Sequence, residues 1–250
     1  MKNLKQYLTE GFKLNKNYKN PYNYHPKDKK ELKDIIKELI AKRGNEADLN
    51  DIDTSEIIVM SELFANSDFN GDISKWDVSN VKNMLGMFFD SKFDGDLSKW
   101  DVSNVEDMGS MFRGSKFTGE NGDISKWNVS NVKYMSSMFF NSKYNGDISK
   151  WDVSNVEDMV KMFQYTSFNG NLSNWDVSNV KYMSSMFFNS KYNGDISKWD
   201  VSKVENMSYM FCDSSFNGDL SSWNLKKNCQ TQDMFYGSPL EGHEPKWYKK

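Results

Sequence analysis

The sequence predicts an α/β solenoid: a right-handed coil with a parallel sheet on one face, short helices on the other and a helix cap at the N-terminal end. Three observations carry that prediction. The eight tryptophans stand at 76, 100, 127, 151, 175, 199, 223 and 247, so successive gaps are 24, 27, 24, 24, 24, 24 and 24 residues. The stretch Gly71–Phe88, GDISKWDVSNVKNMLGMF, recurs in the same phase. Every methionine except Met1 lies between residues 60 and 234, in phase with the repeats. A fixed period between about 20 and 50 residues marks stacked repeats, each covered by its neighbours.

Within one repeat, Trp76 and Val78 alternate with Lys75, Asp77 and Ser79, the pattern of a short strand with one buried face. Val81, Met84 and Met87/Phe88 then recur at three to four residues, the stripe of a short helix. Asn70-Gly71-Asp72 is a turn signal. The order apolar-x-x-Trp-x-Val is similar to the leucine-rich-repeat strand L-x-x-L-x-L, which makes the coil leucine-rich-repeat-like. Trp76 to Trp223 are expected to form one buried column, each on a parallel strand. As the main apolar spine, each would cost ~3–5 kcal/mol on truncation to Ala.

Taken in order, residues 1–24 read as a leader and linker, with Leu4, Tyr7 and Leu8 at helical spacing and an Asn/Lys/Tyr-rich stretch after them. Residues 25–48 form the expected capping unit. Asp28 precedes Lys29–Arg43, whose stripe is Leu32, Ile35, Ile36, Leu39 and Ile40, and Gly44 stops the helix. That helix should hide Ile52, Ile57 and Met60. Residues 49–223 are the repeat array, beginning with the degenerate Ile52–Met60 and carrying a three-residue insertion near Thr118-Gly119-Glu120. Val129–Ser154 and Val177–Ser202 are identical, which points to duplication of a two-repeat block. Residues 224–250 fade from the pattern and form the expected C-terminal cap, with Trp247 still in phase.

The net charge of −3 is uneven: residues 1–50 hold 12 Lys/Arg against 7 Asp/Glu, and residues 51–250 hold 20 against 28. An acidic array does not suit a nucleic-acid partner. Cys212 and Cys229 make no disulfide framework. No apolar run is long enough for membrane insertion. The N-terminus lacks a secretory h-region, so the expected location is cytoplasmic or virion-associated, and the cell surface only if a signal was removed. His25 and His243 lie outside the regular repeats, and no phosphate loop or metal-ligand spacing occurs. The expectation is therefore no enzyme, no metal and no cofactor.

Two polar columns repeat with the coil. Lys75, Lys99, Lys126, Lys150 and Lys198 stand beside Asp77, Asp101, Asn128, Asp152, Asp176 and Asp200. They form either a self-neutralising lattice or a contact face for a protein or glycan partner. The second column, Asp72, Asp96, Asp123, Asp147, Asn171, Asp195 and Asp219, follows Gly each time. Stacked Gly-x-Asp turns bind calcium in some β-helices, but a single carboxylate per coil is better suited to capping its own corner.

The blocks ISKWDVSNVKNM, M-F and N-G-D, with KKELKDIIKELIAKRG before them, resemble the BspA-like leucine-rich-repeat family over roughly residues 27–240. The resemblance implies a non-enzymatic solenoid with adhesive or protein-binding roles, usually exported; the N-terminus departs from that. Met1-Lys2 and Tyr7-Leu8-Thr9-Glu10, followed by Gly11, are similar to capsid-targeting leaders of tailed phages. This implies the alternative of a virion-packaged structural or cargo protein cleaved between Glu10 and Gly11.

Overall fold

The computed structural model describes residues 21–249, and its backbone is a stack of coils hydrogen-bonded one to the next. The coil around Trp76 shows the plan. Asp72 opens it with a turn: its Oδ1 accepts the Ser74 N–H at 2.9 Å, and the Trp76 N–H returns to Ile73 O at 3.1 Å. Asp77 repeats the move, taking the Ser79 N–H at 3.0 Å while the Val81 N–H closes on Val78 O at 2.9 Å. Such short side chains, bonding the backbone two residues on, draw the chain into turns rather than strands. One extended rung follows, in which Asn83 bridges Val59 on one side and Asp107 on the other, both parallel.

Three overlapping turns then carry the chain from Met84 to Ser91. They are closed by Met87 N–H on Met84 O (3.1 Å), Phe89 N–H on Gly86 O (3.0 Å) and Ser91 N–H on Phe88 O (3.2 Å). Gly86 (φ 60°) and Asp90 (φ 47°) are left-handed, each at the third position of its turn. The intervening N–H groups, of Met84, Gly86, Phe88 and Asp90, leave the coil and donate to Asp107, Gly109, Met111 and Arg113 O at 2.7–2.9 Å. Backbone donors thus alternate between closing a turn and binding the next coil.

That arrangement overturns the α/β solenoid class. Among the described residues the single α-helix is α1 (Lys29–Arg43), and strand pairing is confined to isolated one-residue bridges. No parallel sheet forms on one face and no short helices line the other, so the leucine-rich-repeat-like pairing of strand and helix is absent. The cause lies in the spacing. Apolar residues three apart fit consecutive turns as well as a helix, and a φ near +60° has no place in a right-handed helix. The helix reading also needs each N–H for the carbonyl four residues back, whereas here every second N–H is committed to the neighbouring coil.

The tryptophans are buried, 3–4% exposed from Trp76 to Trp223, yet none stands on a strand. Each indole instead pins two coils together. Nε1 of Trp76 donates to Leu49 O (3.0 Å), that of Trp100 to Ile73 O (3.2 Å), and so on to Trp247 and Leu220 O (2.7 Å). Ile73 O accepts both the Trp76 N–H and the Trp100 Nε1–H, using both lone pairs. Beside the tryptophans, unbroken stacking runs through one phenylalanine per coil, Phe64 to Phe235, with centroids 5.6–5.9 Å apart and planes within 2–11°. Offset stacks of this kind add stability beyond the area they bury.

Helix α1 forms where its stripe predicts. Asp28 Oδ1 accepts the Glu31 N–H at 2.9 Å, and at the far end Gly44 (φ 88°) donates to Ile40 O. Leu32, Ile36 and Leu39 are buried in the same apolar core as Ile52, Ile57 and Met60. Arg43 ties the helix end to the first coil by two 2.9 Å bonds to the Asp51 carboxylate, and this holds that carboxyl down at about 2.

Candidate binding face

The two turns opened by Asp72 and Asp77 put the predicted face on one side of the stack. Lys75, Lys99, Lys126, Lys150 and Lys198 are exposed, as are Asp77, Asp101, Asn128, Asp152, Asp176 and Asp200. The carboxylates are not loose. Asp101, Asp152, Asp176 and Asp200 each accept the N–H of the serine two residues on, at 3.0–3.1 Å. Hydrogen bonds from Ser103, Ser178 and Ser202 lower the carboxyl pKa values of Asp101, Asp176 and Asp200. These carboxylates are therefore fixed in direction and recur along the stack, with the uncharged Asn128 in the place of one. Asparagines hold that register: Asn80, Asn104, Asn131, Asn155 and Asn179 each donate Nδ2 to a serine carbonyl of the preceding coil at 2.7–2.9 Å.

Among the described residues no ion pair joins the lysine column to the aspartate column. Contact ion pairs form on a different column, at the rung. There Lys82, Glu106, Lys133, Glu157, Lys181 and Glu205 alternate in sign from coil to coil, with contacts such as Lys133–Glu106 at 2.8 Å and Lys181–Glu157 at 2.6 Å. The signal for it is plain in the sequence as V-K alternating with V-E, and the sequence reading passed over it.

The Gly-Asp corners cap themselves. Asp96, Asp123, Asp147, Asp195 and Asp219 accept the N–H of the serine two residues later at 2.8–2.9 Å. Among the described residues no group of three or more His, Cys, Asp or Glu side chains is gathered as for a metal ion. No helix among them is long and apolar enough to cross a membrane. The three-residue insertion breaks the face once. Thr118 and Asn121 hook onto Asp94, and a depression of about 440 Å3 opens beside them, lined by Lys99, Lys126, Asp96, Asp123 and Glu120. Glu10 and Gly11, the predicted processing site, lie outside the described residues.

The arrangement offers carboxylates fixed by backbone hydrogen bonds and solvent-facing ammonium groups. In comparisons with known proteins, a family model described as "Mycoplasma protein of unknown function, DUF285" matches residues 31–145 and 140–247. No curated protein and no solved structure matches the chain.

Proposed function

This chain belongs to that family of Mycoplasma proteins of unknown function, DUF285, and from that premise we propose that it is a non-enzymatic binding protein of the BspA-like type. Its Lys/Asp face would meet a protein or glycan partner. The observation that carries the reading is the lack of ion pairs between the two exposed columns among the described residues, while the rung column is internally paired. Charges that serve only to hold coils in register would be expected to pair as the rung does. Exposed, without contact ion pairs between the columns, and repeated along the stack, they suit a repetitive surface ligand.

The test is a triple reversal, Asp101→Lys, Asp152→Lys and Asp176→Lys, compared with wild type on a glycan array and on immobilised mucin and fibronectin. Exposed charges of this kind cost ~1 kcal/mol or less each, so melting should move little while binding is lost. Unchanged binding, or no binding by either protein, would overturn the proposal.

A further inference from the structure

Arg113 is the one arginine of the repeat region, and it stands on the turn side of the stack, away from the Lys/Asp columns. Its guanidinium carbon lies 5.2 Å from the Phe89 ring centroid and 4.7 Å from that of Phe140, one ring from each neighbouring coil. A guanidinium held between two rings is preorganised, because the rings fix its plane and leave its N–H edge free to act. Among the described residues that edge has neither a hydrogen-bond acceptor nor an ion-pair partner, although Arg113 is only partly exposed. The carboxylate of Asp90, in the coil before, forms no ion pair with it. A second feature points the same way. Lys92, Lys116 and Lys143 occupy one exposed position in three successive coils, three residues beyond the ring-and-arginine column, on an array whose net charge is negative. Of these, Lys92 alone is paired, with Asp68 at 2.7 Å.

The aromatic strip continues past the arginine. Tyr165 packs edge-on against Phe140 (5.5 Å, 88°) and against Phe188 (5.5 Å, 79°), yet its own side chain is 45% exposed. A cationic planar fork separated from an exposed tyrosine by one shared ring, Phe140, meets two demands at once. The fork accepts a planar carboxylate in two parallel hydrogen bonds, and the ring supports the apolar C–H face of a saccharide. We propose that Arg113, clamped by Phe89 and Phe140, with Tyr165 on the far side of Phe140, is a recognition site for the carboxylate-bearing sugar of an acidic glycan. It is independent of the Lys/Asp face, and either can fail without the other.

The full chain is titrated with methyl β-glucuronide, methyl β-glucoside and inorganic phosphate while the aromatic ring resonances are followed by NMR. The glucuronide should shift Phe89, Phe140 and Tyr165, and the glucoside should not. Arg113→Lys keeps the charge but loses the fork, and its affinity should fall about tenfold. Arg113→Gln should abolish binding with the fold intact, since Gln164 occupies the same position two coils on. The triple reversal on the Lys/Asp face should bind glucuronide as wild type does. Equal response to glucoside, equal shifts by phosphate, or an undiminished Arg113→Lys variant would each overturn the proposal.

Discussion

Asp158 sits on the rung between Tyr134 and Tyr182, and its Oδ1 accepts the Val160 N–H at 2.9 Å. Burial pushes its carboxyl up, and the charge of Asp107 adds to this. A carboxyl raised in the folded state is one whose ionisation favours unfolding. It therefore costs stability at neutral pH, and the cost disappears as pH falls below its unfolded value of about 4. Asn83 and Asn206 hold the same position and accept the equivalent N–H at 3.0 and 2.9 Å without a charge. Asp158→Asn should then raise the melting temperature at pH 7 and leave it unchanged near pH 3. A lower value at pH 7 would mean that the ionised carboxylate does something the amide cannot. At this scale the sequence was readable where a side chain serves its own backbone, as at the Gly-Asp corners. It was unreadable where the partner is a main-chain carbonyl of another coil, as for every tryptophan Nε1, because such an acceptor leaves no mark in residue identity.

The element that resisted the sequence is the triple turn. Its left-handed positions are Glu62, Gly86, Ser110, Ser137, Lys161, Ser185, Tyr209 and Asp233 in one column, and Asn66, Asp90, Gly114, Asn141, Tyr165, Asn189, Asp213 and Gly237 in the other. All of the second column except Tyr165 are Gly, Asn or Asp, the residues that tolerate positive φ. That regularity was visible two positions after each M-F, but the apolar spacing of three and four outweighed it and read as helix. Helix α1 was legible because its cap, stripe and terminal glycine all agree. Ser137 tests the turn: with φ 56° it should reject a β-branched residue, so Ser137→Val should cost ~1–2 kcal/mol in chemical denaturation. Ser136→Val, one residue earlier, should be tolerated, since Val160 already fills that place in the next coil. Equal losses for the two variants would remove the left-handed turn as the determinant.

Over the whole molecule, the period was the most legible property, because every coil must present the same apolar side chains to its neighbours. The alternation of Lys and Glu along the rung doubles that period, and the identical blocks Val129–Ser154 and Val177–Ser202 are offset by two coils rather than one. A stack built this way should shorten cleanly by two coils and less cleanly by one. Deleting residues 129–176 joins Asn128 to Val177 and brings Lys181 beside Glu106, so the signs still alternate. Deleting residues 153–176 joins Asp152 to Val177 and sets Lys181 against Lys133, two like charges where the native rung has none. Stability in such arrays is close to a sum over coils, so the longer deletion loses more core. Total stability therefore cannot isolate the charge effect, but its salt dependence can. Lys133 and Lys181 are 47% and 45% exposed, so their repulsion amounts to ~0.5 kcal/mol and is screened by added salt. Sodium chloride should accordingly raise the melting temperature of the one-coil deletion and leave that of the two-coil deletion nearly flat. Parallel salt curves for the two would mean that the alternation along the rung contributes nothing to how the coils are counted.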